Sequence, residues 1–347
     1  MNRMRTGLRK VMARALSLFT TNSSPKDLTW QSIPAITEAD LQEIRQFFRR
    51  KKFFIFGHAR SGTTLLARLI RVHPSVHCNW QAHFFTRQPF IHALVSDPNI
   101  HEWLTRRSNR WNQGRDPSAL LLRINCDFFL EREAAQLGKE IVGDKSPNNL
   151  VHGEAVLRMA SIYPDASLIF IVRDGRDAVL SHRFQTFIDN PQHLNQEDRA
   201  ILEQFIAHPE PFLRGERSIF TSQGLQAAAQ SWVENVTETH RLGKEIYGAR
   251  YYALRFEDLI RQPWEVMQSL WLFLGADLSL PGLAEALENE RTRNPDADWQ
   301  NQKASAISQS LQKGKSGSWR QLFTSEDRQA FLRIAGATLE EWGYPID

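Results

Sequence analysis

Two stretches of the chain carry almost unbroken apolar side chains: Phe53-Phe54-Ile55-Phe56, and Ala166-Ser167-Leu168-Ile169-Phe170-Ile171-Val172. Short runs of this kind are what strands buried on both faces of a parallel sheet look like. Glu140-Ile141-Val142-Gly143 reads as a further extended segment, and Tyr251-Tyr252-Ala253-Leu254-Arg255-Phe256 as another strand. Between them the pattern takes on the helical period. Leu65, Leu66, Leu69 and Val72 fall on one side of a helix with Arg68 and Arg71 on the other, and further helices are predicted from about Trp264 to Leu274 and from about Ser325 to Trp342. Thr37, with Asp40 three residues on, opens a helix that carries Leu41, Ile44 and Phe48 on one face. Strands alternating with helices predict an α/β fold with a central parallel sheet flanked by helices.

The punctuation divides the chain into a basic N-terminal arm and linker, 1–36, and a single domain, 37–347. Within the domain, residues 185–225 are rich in Asn, Gln, Pro and charge, and read as an insertion with a short helix near Glu197 to Ile206. Its functional version would be a lid. The arm holds Arg3, Arg5, Arg9, Lys10 and Arg14, a pattern compatible with peripheral contact to a membrane surface and also with an ordinary frayed terminus. No window approaches the roughly 18 apolar residues of a spanning helix.

Composition changes this picture little. A chain of 347 residues with 41% hydrophobic positions can bury a substantial core, which excludes a disordered protein. The net charge of +4 suits an anionic small ligand and does not by itself call for nucleic acid. Two cysteines, Cys78 and Cys126, form neither a metal cluster nor a disulfide framework, and a cytoplasmic setting is expected.

The chemistry enters at the end of the first strand. Gly57-His58-Ala59-Arg60-Ser61-Gly62-Thr63-Thr64 has the G-x-x-x-x-G spacing of a phosphate loop between strand and helix, where backbone amides and the helix N-terminus receive an anion. The next position carries Lys in nucleotide triphosphatases, and here it is Thr63. A nucleotide ligand other than ATP follows. A second strand–turn–helix of the same logic is Val172-Arg173-Asp174-Gly175-Arg176-Asp177, with Ser181 one turn into the helix where it can share a phosphate with Arg173. A third basic loop is Gln312-Lys313-Gly314-Lys315-Ser316-Gly317-Ser318-Trp319. Either anion loop alone is more often a chance turn or a solvated loop; their order along one chain is the stronger signal.

These motifs resemble those of the PAPS-dependent sulfotransferases, PAPS being 3′-phosphoadenosine-5′-phosphosulfate. Arg60 to Thr64 matches the family's (Lys/Arg)-Ser-Gly-Thr-Thr, Arg173 with Ser181 its Arg and Ser eight residues apart, and the basic loop its Arg-Lys-Gly-x-x-Gly-x-Trp, with Gln312 in place of Arg. Gly143-Asp144-Lys145-Ser146-Pro147 resembles a segment of the bacterial and protein-tyrosine enzymes whose lysine sits by the transferring sulfuryl group. The resemblance, which spans roughly residues 50–345, implies a P-loop-like three-layer fold and transfer of a sulfuryl group from PAPS to a hydroxyl or amine, without a metal. It implies that Arg60, Ser61, Gly62, Thr63 and Thr64 hold the 5′-phosphosulfate, that Arg173, Ser181, Lys313 and Gly314 hold the 3′-phosphate, and that Phe256 lies near the adenine where relatives carry tyrosine. Lys145 and Arg60 would stabilise the leaving phosphate. Many relatives have a glutamate where this chain has Gln81, so His83 and Asp144 are the candidates for general base. The competing functions are a P-loop kinase, which Thr63 speaks against, and a nucleotide or polyanion binder without catalysis, which Gln81 leaves open. The acceptor, whether sugar, lipid, peptide or metabolite, is not written in any of these motifs.

Overall fold

The computed structural model describes residues 29–293 and 316–346. Five strands, β1 (Lys51–Phe56), β2 (Val76–Trp80), β3 (Ile141–Lys145), β4 (Ser167–Val172) and β5 (Tyr251–Arg255), form one sheet in the order β2-β3-β1-β4-β5. Every pairing is parallel. Alternate residues of the apolar runs serve opposite layers. Phe53, Ile55, Ile169 and Ile171 pack with the helices Thr63–Ile70 and Pro263–Leu274, through Leu66, Leu69, Met267, Leu270 and Trp271. On the other face Phe54 meets Phe85 and Tyr163, and Phe170 meets Trp342, each ring edge to face. The helices Ser222–Leu242 and Ser325–Glu341 pack together on that side. The result is the expected three-layer α/β arrangement with a P-loop-like core. Because β1 has β3 on one side and β4 on the other, the chain reverses direction across the sheet at β1, where α/β sheets open a crevice at the carboxyl ends of their strands.

Three details differ from or sharpen the sequence expectations. The segment around His73 and His77 contains β2, a strand absent from the sequence reading: His77 is a buried strand residue, and buried His73 shares a 2.8 Å hydrogen bond between Nε2 and the Asp277 carbonyl. Val-His-Cys-Asn-Trp has no apolar run to betray it. The Thr37/Asp40 capping box is present in full. In the 185–225 region, the helix that starts at Gly175 runs on to Asp189, and the helix Gln196–Ala207 follows. The latter is joined to its surroundings by an edge-to-face series of Phe184, Phe187, Phe205 and Phe212, and by an Arg183–Asp198 ion pair of 2.5 Å.

The chain divides into two compact units. The larger comprises Ala35–Ile91 and the residues from Ala119 onward, and holds the sheet. The smaller, His92–Ser118 with Thr29–Pro34 among the described residues, contains the helix Pro98–Thr105, capped by Asp97 through the amides of Asn99 and Ile100. Cys78 and Cys126 are buried free thiols. No helix among the described residues is long and apolar enough to cross a membrane.

Candidate active site

At Gly57, where β1 ends, a Cβ would lie 2.7 Å from the Ile171 carbonyl oxygen, so only glycine lets the two strands approach this closely. Five residues on, Gly62 caps the following helix with φ +90°, and a Cβ there would sit 2.2 Å from Cδ2 of Phe256. Arg60 between them also has positive φ, at +72°. The turn holds Ser61 fully buried, with its hydroxyl unpartnered. An orphaned hydroxyl inside a loop of this shape suits an anion that supplies the missing acceptor. Thr63, at the position a Walker lysine would occupy, is buried.

The Gly143–Asn149 segment is laced to this loop. The amide of Ser146 donates to the Ile55 carbonyl at 3.1 Å, that of Asn148 to Gly57 at 2.8 Å, and Ala59 donates its amide to the Asn149 side-chain oxygen at 2.9 Å. Lys145 is the last residue of β3 and is wholly buried. Its ammonium donates to Thr64 Oγ1 at 3.2 Å and stands 4.2 Å from the centre of the Trp80 ring. Burial pushes it down to about 8, in part opposed by Asp144 and Cys78 and assisted by Arg60.

Asp144 is buried, and that burial pushes it up to about 6, against the hydrogen bonds of Ser146 and Ala82 and the charge of Lys145. Its carboxylate accepts the Ala82 amide at 3.0 Å and, from the other oxygen, the Ser146 hydroxyl. Ser146 Oγ in turn accepts the His83 amide at 3.0 Å, and Gln81 donates its own amide to the Lys145 carbonyl at 2.8 Å. Gln81 and His83 both have positive φ, so these four bonds hold a strained turn in place. The His83 ring is half-buried and shares a 2.8 Å hydrogen bond with Thr86 Oγ1. Burial, and then the charges of Arg87 and Lys145, lower its pKa from the ordinary histidine value.

The second anion loop meets the first directly. Arg173 donates to the Arg60 carbonyl at 3.1 Å, and Arg60 Nε donates to Ser181 Oγ at 3.1 Å. The Arg173 guanidinium lies 5.0 Å from the Phe256 ring, which is itself buried against Gly62. Asp174 caps its helix and pairs with Arg176 at 2.8 Å. Asp177, which also feels the charge of Arg173, accepts the amides of Gly317 and Trp319 at 2.6 and 3.1 Å, which fixes the carboxyl end of the third basic loop. Lys313 and Gly314 lie outside the described residues. The structure therefore brings Arg60, Ser61, Gly62, Thr64, Arg173, Ser181 and Phe256 to one hub, with Lys145, Asp144 and His83 along its β3–β2 flank.

Sequence reasoning missed Trp80, which touches Lys145, and Asn149, which orders the loop. It also missed His58, whose buried ring bonds the Ala59 carbonyl at 3.1 Å and is pushed down to about 4 by that burial. A lone Trp or Asn carries no spacing signal; only the β2–β3 register could have paired Trp80 with Lys145. Among the described residues, no three or more His, Cys, Asp or Glu are grouped to hold a metal ion.

Among solved structures, the chain is similar to the sulfotransferase domain from the Synechococcus PCC 7002 olefin synthase, at 21% identity over 85% of this chain and 96% of that one, TM-score 0.49. It is also similar to mouse sulfotransferase SULT7A1 complexed with PAP, at 15% identity over 88% and 90% of the two chains, TM-score 0.45. A protein-tyrosine sulfotransferase of Drosophila melanogaster is 23% identical over 227 residues, 64% of this chain, and an uncharacterized protein of Aquifex aeolicus (strain VF5) 24% over 250 residues, 71% of this chain. The matches span 37% and 28% of those two relatives. The sulfotransferase family model matches residues 52–279, well over half the chain and the whole of the stretch from the first anion loop through β5. With its lysine-free phosphate loop, its second anion loop and Lys145 all inside that match, this chain belongs to the sulfotransferase family.

Proposed function

We propose that the chain, through the domain 37–347, moves a sulfuryl group from PAPS to a hydroxyl or amine acceptor by in-line displacement. The observation that carries this is the fully buried Lys145, whose ammonium lies 3.2 Å from the Thr64 hydroxyl in the first turn of the phosphate-loop helix. A cation kept there at a desolvation cost has a use only when negative charge arrives. The loop amides, Ser61 and Thr64 receive the 5′-phosphosulfate, and Arg173 with Ser181 receives the 3′-phosphate. Phe256 backs the loop and orients Arg173. As the acceptor oxygen bonds to sulfur, the bond from sulfur to the 5′-phosphate oxygen breaks, and Lys145 and Arg60 stabilise the charge that collects on that oxygen. The acceptor's proton passes to His83, whose lowered pKa keeps the imidazole neutral and receptive at pH 7.

Asp144 is better suited to positioning than to proton transfer, because both its oxygens already accept hydrogen bonds that pin the 81–83 turn. Anchoring of the nucleotide by Arg173, Ser181 and the loop amides calls for no bridging cation, so chelator should leave turnover unchanged. Calorimetry tests the whole reading. The desulfated nucleotide, adenosine 3′,5′-bisphosphate (PAP), should bind without metal and far more tightly than ATP with magnesium. The opposite preference would assign the site to phosphoryl transfer, and PAPS that binds but is never consumed would mark a binding protein.

A further inference from the structure

The strand order sets the parts of the site in a row along the carboxyl edge of the sheet. Phe256 follows β5, Arg173 follows β4, the phosphate loop follows β1, Lys145 ends β3 and Trp80 ends β2. In the reading above, on which this inference rests, the donor runs from Phe256 to Lys145. An in-line acceptor must then approach from the side away from the leaving phosphate, where the next strand along is β2. Its last residue has unusual surroundings. Trp80 pairs in register with Lys145, covers its ammonium at 4.2 Å, and yet is 48% exposed, whereas Lys145 is 0% exposed. One indole thus shields the buried cation while presenting a large apolar surface to whatever enters.

We propose that Trp80 is both a positioning residue and the acceptor floor: its ring holds the Lys145 ammonium toward the sulfur, and its exposed surface stacks a flat-faced acceptor ring, aromatic or pyranose. The side chains facing the ammonium are Thr64 and Arg60 from the phosphate loop, Asp144 from β3, Cys78 and Trp80 from β2, and His83 from the turn after it. Of these Trp80 alone meets the cation with neither a charge nor a hydrogen bond, and leucine in its place keeps an apolar cover but no π face, so Trp80→Leu favours the neutral amine.

The test uses the full chain and the variants Trp80→Phe and Trp80→Leu. The slow hydrolysis of PAPS without acceptor is followed against pH, since its alkaline limb reports Lys145. Trp80→Leu should move that limb to lower pH by roughly one unit, and Trp80→Phe, which keeps a π face, by much less. Binding of 4-methylumbelliferone, methyl β-glucoside and hexan-1-ol to the PAP-loaded enzyme is then compared. At least one of the two ring probes should bind more tightly than hexan-1-ol and lose roughly three- to tenfold in Trp80→Leu, with Phe restoring it. Which ring does so separates aromatic from sugar acceptors. An unmoved limb overturns the positioning role, and ring probes that bind no better than hexan-1-ol, or that ignore Trp80→Leu, overturn the acceptor floor. Wild-type protein that fails to bind PAPS at all would bring down the donor assignment itself, a result distinct from either.

Discussion

Replacing Lys145 by methionine, which keeps the length of the side chain and removes its charge, should make the unliganded protein more stable at neutral pH while abolishing its chemistry. An ordinary lysine titrates near 10.5 and Lys145 at about 8, chiefly because of burial. At about 1.4 kcal/mol per pH unit, holding the ammonium charged costs the fold about 3 kcal/mol. The sign follows from proton counting. Between pH 8 and 10.5 the unfolded chain binds the proton and the folded one does not, so wild-type stability rises with pH across that window, and the penalty is fully present only below it. Methionine forfeits the Thr64 hydrogen bond and the Trp80 contact, on the order of 1 kcal/mol each, and the part of that loss that depends on the charge is already contained in the lowered pKa. Urea unfolding of both proteins between pH 7 and 10.5 therefore isolates the charge: the variant's advantage over wild type should shrink by about 3 kcal/mol across the series. Turnover should fall by at least about 10²-fold, the usual range for losing one electrostatic stabiliser of a transition state. A stability difference that stays flat with pH would refute the idea that Lys145 is a strained, waiting charge.

Other outcomes follow from single contacts. Arg173→Ala should weaken PAP binding by about 1.5–3 kcal/mol in calorimetry, with turnover at saturating donor little changed. His83→Asn should cost roughly 10²–10⁴-fold in turnover at preserved donor affinity. In the wild type the rate should fall as the pH drops through a midpoint below 6.5, since protonation disables the base; Asp144 titrates in the same range at about 6, so Asp144→Asn, which should leave that limb in place, tells the two apart. Gly62→Ala meets both a left-handed φ and the Phe256 ring, and should destabilise by about 2–5 kcal/mol in urea unfolding, with Phe256→Ala in the same chain recovering part of the loss.

The strands that could be read from the chain are those with nothing to do but fill the core. β4 and the last four residues of β1 are nearly all apolar because both their faces are covered, whereas β2 mixes His, Asn and Trp with Val and Cys because its end belongs to the site. The smaller unit around residues 92–118 had no boundary signal, since its turns look like any others. Each anion loop announced itself through local spacing. Their meeting did not: Arg60 and Ser181 are 121 residues apart in sequence, and only the adjacency of β1 and β4 joins them. Asp144 shows the limit from the other side. A buried carboxylate beside a reactive lysine invites assignment as a base, and only its hydrogen-bond partners show that its oxygens are already engaged.

The ties that steady the second anion loop reach far along the chain. Arg176 donates to the carbonyl of Pro345, 169 residues downstream, and the Tyr344 hydroxyl donates to Glu257 at 2.7 Å, whose other oxygen accepts the Asp174 amide at 3.1 Å. On a ribosome the chain emerges from its N-terminus. The phosphate loop, β1 and β4 can pair once residue 172 is out, but the turn that would grip the 3′-phosphate lacks these braces until residues 344 and 345 have cleared the exit. A nascent chain, or one terminated before these residues, would thus carry a folded sheet with a slack nucleotide grip, and competence for the donor would follow the making of the core.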